Sequence, residues 1–229
     1  MLEKLKKEVF EANMELVSHG LVIHTWGNVS GRDPGTGLVV IKPSGVSYAT
    51  MKQEDMVVLD CDGNKVEGQF RPSTDAPTHL YLYRAFSGIM GIVHTHSTYA
   101  TAWAQSGRAI PPLGTTHADH FYGEVPCSRL LTDAETENDY EINTGRVIEE
   151  ALAGADPLHI PSVLVNGHGP FCWGADASNA VYNAVALEEI AKMALFTLLL
   201  GREEPVKKSL LDKHFNRKHG SGAYYGQSK

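Results

Sequence analysis

The sequence predicts an α/β fold, a single layered domain with a central mixed or antiparallel sheet flanked by helices. Short apolar runs typical of buried strands alternate with longer segments of helical periodicity. Several of the predicted strands are joined by connections short enough for hairpins, which favours antiparallel pairing. The length of 229 residues fits one domain with a full hydrophobic core.

The elements follow from local patterns along the chain. Apolar residues recur near helical spacing over 3–18 and predict an opening helix. Further helices are expected at 77–86, 97–106, 141–153 and 178–200. Predicted strands share short apolar runs bounded by turn residues and are expected at 38–41, 56–59, 65–67, 89–96 and 162–165. Asp176 or Ser178 is expected to cap the last helix, which ends at Gly201.

Charge and hydropathy exclude several function classes. The net charge of -7 gives no general basis for a nucleic-acid partner, because such binding relies on clustered positive charge. A basic run at residues 207–218 is more typical of a solvated helix face than of a binding patch. The longest apolar stretch, 193–200, is too short to cross a bilayer, and three scattered cysteines suggest reduced thiols. We therefore expect a soluble, cytoplasmic protein without a membrane partner.

Two histidines one residue apart are the most informative local feature. His94 and His96 lie on an apolar run predicted as a buried strand, where side chains at i and i+2 point to the same face. His168 follows another apolar run and has glycine neighbours. Three imidazoles and an acid suit zinc or another divalent transition metal. Asp75 is the candidate acid, although its position before Pro77 equally fits a helix cap.

Two loops carry groups that suit an anion. Residues 25–30 contain Gly27 and Asn28, and residues 42–45 contain Lys42, Ser44 and Gly45. Glycine exposes backbone N–H groups, and the amide, hydroxyl and ammonium groups add donors. Each loop alone is more often an ordinary turn, and Ser73 and Thr74 are possible additions. Together with a metal set, they suggest a small phosphorylated substrate.

Several motifs in order make the chain recognisable. They are Thr25-Trp26-Gly27-Asn28-Val29-Ser30, Lys42-Pro43-Ser44-Gly45, Ser73-Thr74-Asp75-Ala76-Pro77-Thr78-His79, His94-Thr95-His96, Thr115-Thr116-His117-Ala118-Asp119 and Gly167-His168-Gly169-Pro170. Together they resemble the class II aldolase/adducin family, and the resemblance covers essentially the whole chain. Within that family the chain is most similar to the epimerases of L-ribulose 5-phosphate.

The resemblance implies a role for each matching residue. His94, His96 and His168 would hold Zn²⁺, or another divalent metal, with Asp75 near enough to be a ligand. The phosphate would be held by Gly27, Asn28, Lys42, Ser44, Gly45, Ser73 and Thr74. Asp119 and Tyr225 would be the acid and base, supported by Thr115 and His214. The C-terminal tail, about 215–229, would close over a site shared between the subunits of a homotetramer.

The resemblance also implies the reaction. Aldolases of the family carry a glutamate where this chain has Asp75, and the epimerases an aspartate, so the shorter acid favours epimerisation. The expected reaction inverts C4 of L-ribulose 5-phosphate, a phosphorylated ketopentose, by retro-aldol cleavage and re-addition. The alternatives are a class II sugar-phosphate aldolase and a non-catalytic module like the adducin head domain, which would be expected to lack the histidine set.

Overall fold

The computed structural model describes residues 2–220 and 222–226 and confirms the α/β fold. Its strands form one seven-stranded sheet of order β4-β3-β2-β1-β5-β7-β6, in which every paired strand is antiparallel. Antiparallel pairing fits the short connections noted above. The strands are β1 Asn28–Arg32, β2 Val39–Ile41, β3 Val57–Leu59, β4 Lys65–Glu67, β5 Gly91–His94, β6 Ser162–Val165 and β7 Gly169–Gly174.

Helices cover both faces of the sheet. They are α1 Glu3–Ser18, α2 Ala76–Ala85, α3 Thr98–Ser106, α4 Thr115–Ala118, α5 Asp133–Glu137, α6 Tyr140–Ala151, α7 Ala177–Leu199 and α8 Lys208–His219. Alternate residues of the strands divide the core, because successive side chains point to opposite faces. Val93 packs with residues of α1, α3 and α7, whereas Ile92 packs with residues of α2 and α6. Within the described residues, no helix is both long and apolar enough to span a bilayer.

The predicted elements differ from the structure mainly at the site. Strand β5 spans only Gly91–His94, so the expected strand over 89–96 is two residues too long at each end, and His96 lies beyond the strand. Strand β1 begins at Asn28, inside the segment expected to be a loop, and β7 begins at Gly169. Asp176 caps α7 through its side chain, which accepts from the Asn179 N–H at 2.7 Å.

The C-terminal segment packs against its own chain. The tail expected over 215–229 includes Ser221 and residues 227–229, which lie outside the described residues. Residues 215–219 are the last turns of α8, and the backbone N–H groups of Tyr224 and Tyr225 both donate to the Arg217 carbonyl, at 3.0 and 3.1 Å. Helix α8 itself packs against the short helix α4.

Candidate active site

One cavity of about 520 Å³ gathers most of the residues that the sequence analysis singles out. It lies where β1 begins, where β2 and β5 end, and where the turn between β6 and β7 leads into β7. Its lining residues are Thr25, Trp26, Gly27, Asn28, Lys42, Pro43, Ser44, Gly45, Ser73, Thr74, Asp75, His94, His96 and His168. The cavity therefore joins the histidine set to both loops that suit an anion.

The three histidines converge on one point. Their candidate ligand atoms all lie within 4.8 Å of one another, and the Nε2 atoms of His94 and His96 are 3.1 Å apart. The Nδ1 atom of His94 lies 3.0 Å from the Pro170 carbonyl, so this bond fixes the ring and leaves Nε2 toward the cluster. Phe171, the strand partner of His94, stacks on the His94 ring at 4.2 Å. The His94 ring is thus held from two sides.

His96 and His168 have lowered pKa values, which suits the binding of a cation. Burial, together with the neighbouring His94 and His96, lowers the pKa of His168 to about 3. Burial and His94 also lower the pKa of His96. A neutral imidazole is the form that binds a metal. Among the described residues, these three histidines form a group that could hold a divalent metal ion, and their donor set fits one.

Tyr140 was missed in the sequence analysis. Its hydroxyl lies 3.3 Å from Nδ1 of His168. Hydrogen bonds to the second ring nitrogen of a metal-binding histidine fix its orientation. Tyr140 is the first residue of α6, directly after Asp139, whose φ of 51° is unusual for a residue other than glycine. No pattern in the sequence pairs this tyrosine with a histidine 28 residues away.

The Asp75 side chain lines the cavity and does not cap α2. Asp75 occupies the N-cap position of α2, but its side chain makes no capping hydrogen bond. Its Oδ2 accepts instead from Asn28 Nδ2 at 2.7 Å and from Ser73 Oγ at 3.4 Å. Burial by itself would raise the pKa of Asp75. The nearby His94 and His79 rings outweigh this effect and hold the pKa below its usual range. An ionised carboxylate therefore lines the cavity beside the histidines.

Two backbone segments form the other end of the cavity. Ser44 N–H donates to the Arg71 carbonyl at 3.0 Å, and Ser73 N–H donates to the Lys42 carbonyl at 2.9 Å, so the segments lie side by side. The Ser44 and Thr74 side chains stay exposed to the cavity. Gly45 has a φ of 67°, a conformation that glycine adopts without strain.

Lys42 supplies a positive charge at this end of the cavity. Its side chain is buried, and its Nζ donates to the Pro43 and Val46 carbonyls at 3.2 and 3.0 Å. The ammonium group also lies 4.8 Å from the centre of the Tyr48 ring. Burial lowers the pKa of Lys42 to about 8. The ammonium is therefore still charged at neutral pH, and an anion in the cavity would favour the charged form.

Asp119 belongs to a second cluster, which does not line this cavity. Its carboxylate accepts from Arg217 Nε and Nη2 at 2.9 and 2.6 Å and lies 3.0 Å from His214 Nδ1. Burial opposes ionisation, but the hydrogen bonds from Arg217 and His214 hold the pKa of Asp119 below its usual range. The Tyr225 ring lies 5.2 Å from the Arg217 guanidinium and 4.6 Å from Lys218 Nζ.

The sequence-predicted residues thus fall into two groups. The cavity contains every predicted metal and phosphate residue, whereas Thr115, Asp119, His214 and Tyr225 lie around the contact of α4 with α8. Arg217 was seen only as part of a basic helix face, and no local pattern pairs it with Asp119, 98 residues away. The sequence assigns no role to Trp26, although it lies in the first of the recognisable motifs.

Comparisons with known proteins agree with this architecture. The profile of the class II aldolase and adducin N-terminal domain family matches residues 7–195. An L-fuculose 1-phosphate aldolase structure is 26% identical, covers 93% of this chain and 95% of its own, and has a TM-score of 0.80. L-fuculose-1-phosphate aldolase from Thermus thermophilus is 25% identical, covers 89% of this chain and 100% of its own, and has a TM-score of 0.68. The chain belongs to the class II aldolase and adducin N-terminal domain family.

Proposed function

We propose that the protein is a metal-dependent epimerase that inverts C4 of L-ribulose 5-phosphate to give D-xylulose 5-phosphate. The observation that carries the proposal is the single cavity in which three histidines face two segments suited to a phosphate, with Asp75 between them. An aspartate at this position favours epimerisation, since the family resemblance gives the aldolases a glutamate there. The retained histidine set argues against a non-catalytic adducin-like module.

The chemistry requires cleavage of a carbon–carbon bond. C4 is not next to the ketone, so removing its hydrogen would leave a carbanion without an enolate to stabilise it. Breaking the C3–C4 bond instead leaves its electron pair on an enediolate and turns C4 into the aldehyde of glycolaldehyde phosphate. A divalent metal bound at His94, His96 and His168 would act as a Lewis acid that favours the enediolate.

The residues of the cavity would hold the two fragments. The phosphate would be bound by Gly27, Asn28, Lys42, Ser44, Gly45, Ser73 and Thr74. Its binding would keep the aldehyde fragment in place while the aldehyde group rotates to present its opposite face. Asp75 would lie beside the metal and accept the hydrogen bond from Asn28 that joins the two ends of the cavity. Re-addition to the opposite face of the aldehyde then gives the C4 epimer.

Opposite faces need two proton-transfer groups, and we assign them to Asp119 and Tyr225. One group takes the proton from the C4 hydroxyl as the bond breaks, and the other returns a proton to the new C4 oxygen. His214 would orient Asp119, and Thr115 would support the same site. Because these residues do not line the cavity of their own chain, we propose that a neighbouring subunit of a cytoplasmic homotetramer supplies them. Exposed apolar side chains at the end of α7, including Phe196 and Leu199, support such an assembly.

A class II sugar-phosphate aldolase is the second candidate, and the likeness to L-fuculose 1-phosphate aldolases favours it. The test is to load the purified protein with Zn²⁺ and incubate it separately with L-ribulose 5-phosphate and L-fuculose 1-phosphate. We expect D-xylulose 5-phosphate from L-ribulose 5-phosphate and little cleavage of L-fuculose 1-phosphate. Cleavage of L-fuculose 1-phosphate without epimerisation of L-ribulose 5-phosphate would establish the aldolase instead.

A further inference from the structure

Trp26 is the largest apolar side chain that lines the cavity, and about half of its surface stays exposed to solvent in the folded chain. Its side chain is 52% exposed, whereas Trp103 and Trp173 are 5% and 0% exposed. The indole thus contributes little to the core of its own chain. A surface tryptophan alone needs no explanation, but this one lines the cavity that also holds the predicted metal and phosphate residues.

Backbone contacts on both sides of Trp26 fix the position of its turn. Trp26 N–H closes a turn onto the Ile23 carbonyl at 3.0 Å, and His24 has a φ of 55°, which is unusual for a residue other than glycine. Gly27 has a φ of 93°, and a Cβ atom there would lie 2.8 Å from the His94 carbonyl oxygen. Tyr48 also donates to the Gly27 carbonyl at 2.9 Å. The turn therefore packs directly against the strand that carries His94.

The indole lines the cavity close to its histidine end. Its ring centre is 6.5 Å from that of His96, and the His24 ring meets it edge-on at 5.7 Å. Along the chain it is two residues from Asn28, whose amide bonds Ser73 and Asp75. A sugar phosphate held by the histidine end and the phosphate end would place its central carbons against Trp26.

We propose that Trp26 retains the aldehyde fragment and so determines that the enzyme epimerises its substrate instead of releasing two products. This inference rests on the proposed function. After the C3–C4 bond breaks, the phosphate alone ties glycolaldehyde phosphate to the cavity. The aldehyde can rotate against the flat indole without losing a polar contact, and the indole excludes water from the enediolate. If the fragment escapes, a proton from water adds to C3 of the enediolate, and dihydroxyacetone leaves.

The test measures how the cleaved intermediate is partitioned. Trp26→Ala, Trp26→Phe and the control Ile23→Ala are each supplied with Zn²⁺ and L-ribulose 5-phosphate, and released glycolaldehyde phosphate is compared with D-xylulose 5-phosphate. We expect Trp26→Ala to raise this ratio about tenfold or more, with a smaller rise for Trp26→Phe. Ile23→Ala, an exposed apolar residue outside the cavity lining, should match the wild type. An unchanged ratio in Trp26→Ala would overturn the inference.

A second measurement covers the case in which Trp26→Ala is inactive. Acrylamide quenching of the wild-type fluorescence reports mainly Trp26, because the other tryptophans are buried. Saturating glycolaldehyde phosphate should protect this fluorescence from quenching, and unchanged quenching with the ligand bound would refute the role of Trp26. A different result would contradict the proposed function itself, namely that the wild-type protein makes no D-xylulose 5-phosphate.

Discussion

His96 differs from the other two histidines of the cluster because its side chain is the most exposed of the three. It lies beyond the end of β5, yet its Nε2 stays 3.1 Å from that of His94. A cation at this point would be held by two rings fixed through backbone or tyrosine contacts and by one ring free of the strand. Substituting His96 is therefore the least disruptive way to remove one candidate ligand.

We expect His96→Asn to lower metal content and activity together while leaving the fold intact. The reason is that three imidazoles converge on the ion and the amide is a weaker ligand. Metal bound per chain can be measured after dialysis against Zn²⁺, with the thermal transition as the check on folding. His19→Asn is the matched control, because His19 is an exposed histidine outside the cavity lining. Full metal occupancy in His96→Asn would contradict the proposed centre.

Lys42 makes a prediction about pH. Its pKa, lowered by burial to about 8, means that the side chain loses its charge as the pH rises through and above 8. A sugar phosphate stays a dianion over this range, because its second pKa is about 6. Affinity for glycolaldehyde phosphate, measured by calorimetry, should therefore fall between pH 7 and pH 9.

Lys42→Met should remove that dependence. A charge-assisted hydrogen bond is worth about 1.5–3 kcal/mol, so affinity at pH 7 should drop roughly 10- to 100-fold and stay flat up to pH 9. Lys4→Met changes an exposed lysine and should behave as the wild type. Equal affinities for wild type and Lys42→Met at pH 7 would mean that Lys42 only supports the loop through its bonds to Pro43 and Val46.

Among the elements, α8 and the segment that follows it carry the second cluster. Helix α8 presents Arg217 and His214 to Asp119, and the chain then returns so that Tyr225 lies against Arg217. The Tyr225 side chain is 64% exposed and contributes little to the core. A catalytic role and a purely structural one therefore predict different results for its removal.

We expect Tyr225→Phe to lower kcat by roughly 10²- to 10⁴-fold, the usual contribution of a general acid or base. Metal content and thermal stability should be unchanged, since the ring and its contacts with Arg217 and Lys218 remain. Deleting residues 220–229 should have the same effect on kcat. The control is Tyr224→Phe, its exposed neighbour. Normal turnover in Tyr225→Phe would assign the second proton transfer to another residue.

The sequence predicts elements better than it predicts contacts between them. The bounds of α1 and α7 match the expected helices within one residue, because α1 is amphipathic and α7 is a long apolar segment between a capping residue and Gly201. Short elements carry little signal, and β1 and β7 begin inside glycine-containing motifs that look like turns. Pairs such as Tyr140 with His168, or Arg217 with Asp119, depend on tertiary packing that no local pattern records.

At the scale of the whole molecule, the main feature is that the histidine cavity and the Asp119 cluster are separate. The histidine cavity and the Asp119 cluster occupy different parts of one chain, and the proposed reaction needs both at one substrate. Assembly of subunits around a symmetry axis can bring the cavity of one chain to the Asp119 cluster of the next, because each subunit then offers both surfaces. Activity should accordingly depend on the assembled state.

Co-expressing His96→Asn with Tyr225→Phe tests this dependence. Each variant alone should be nearly inactive, but mixed assemblies contain interfaces in which an intact cavity meets an intact Tyr225. Random mixing in a ring would give about a quarter of the interfaces this composition, and activity should recover to a similar extent. Mixed assemblies no more active than the two separate variants would place the complete site within one chain.

The most direct test of the proposed reaction follows hydrogen at C4. The Zn²⁺-loaded protein is incubated with L-ribulose 5-phosphate in D₂O, and the product is analysed by NMR spectroscopy. Cleavage and re-addition at the C3–C4 bond never break a C–H bond, so we expect D-xylulose 5-phosphate without deuterium at C3 or C4. Deuterium at C4 would contradict the retro-aldol mechanism, and the absence of D-xylulose 5-phosphate would contradict the proposed function.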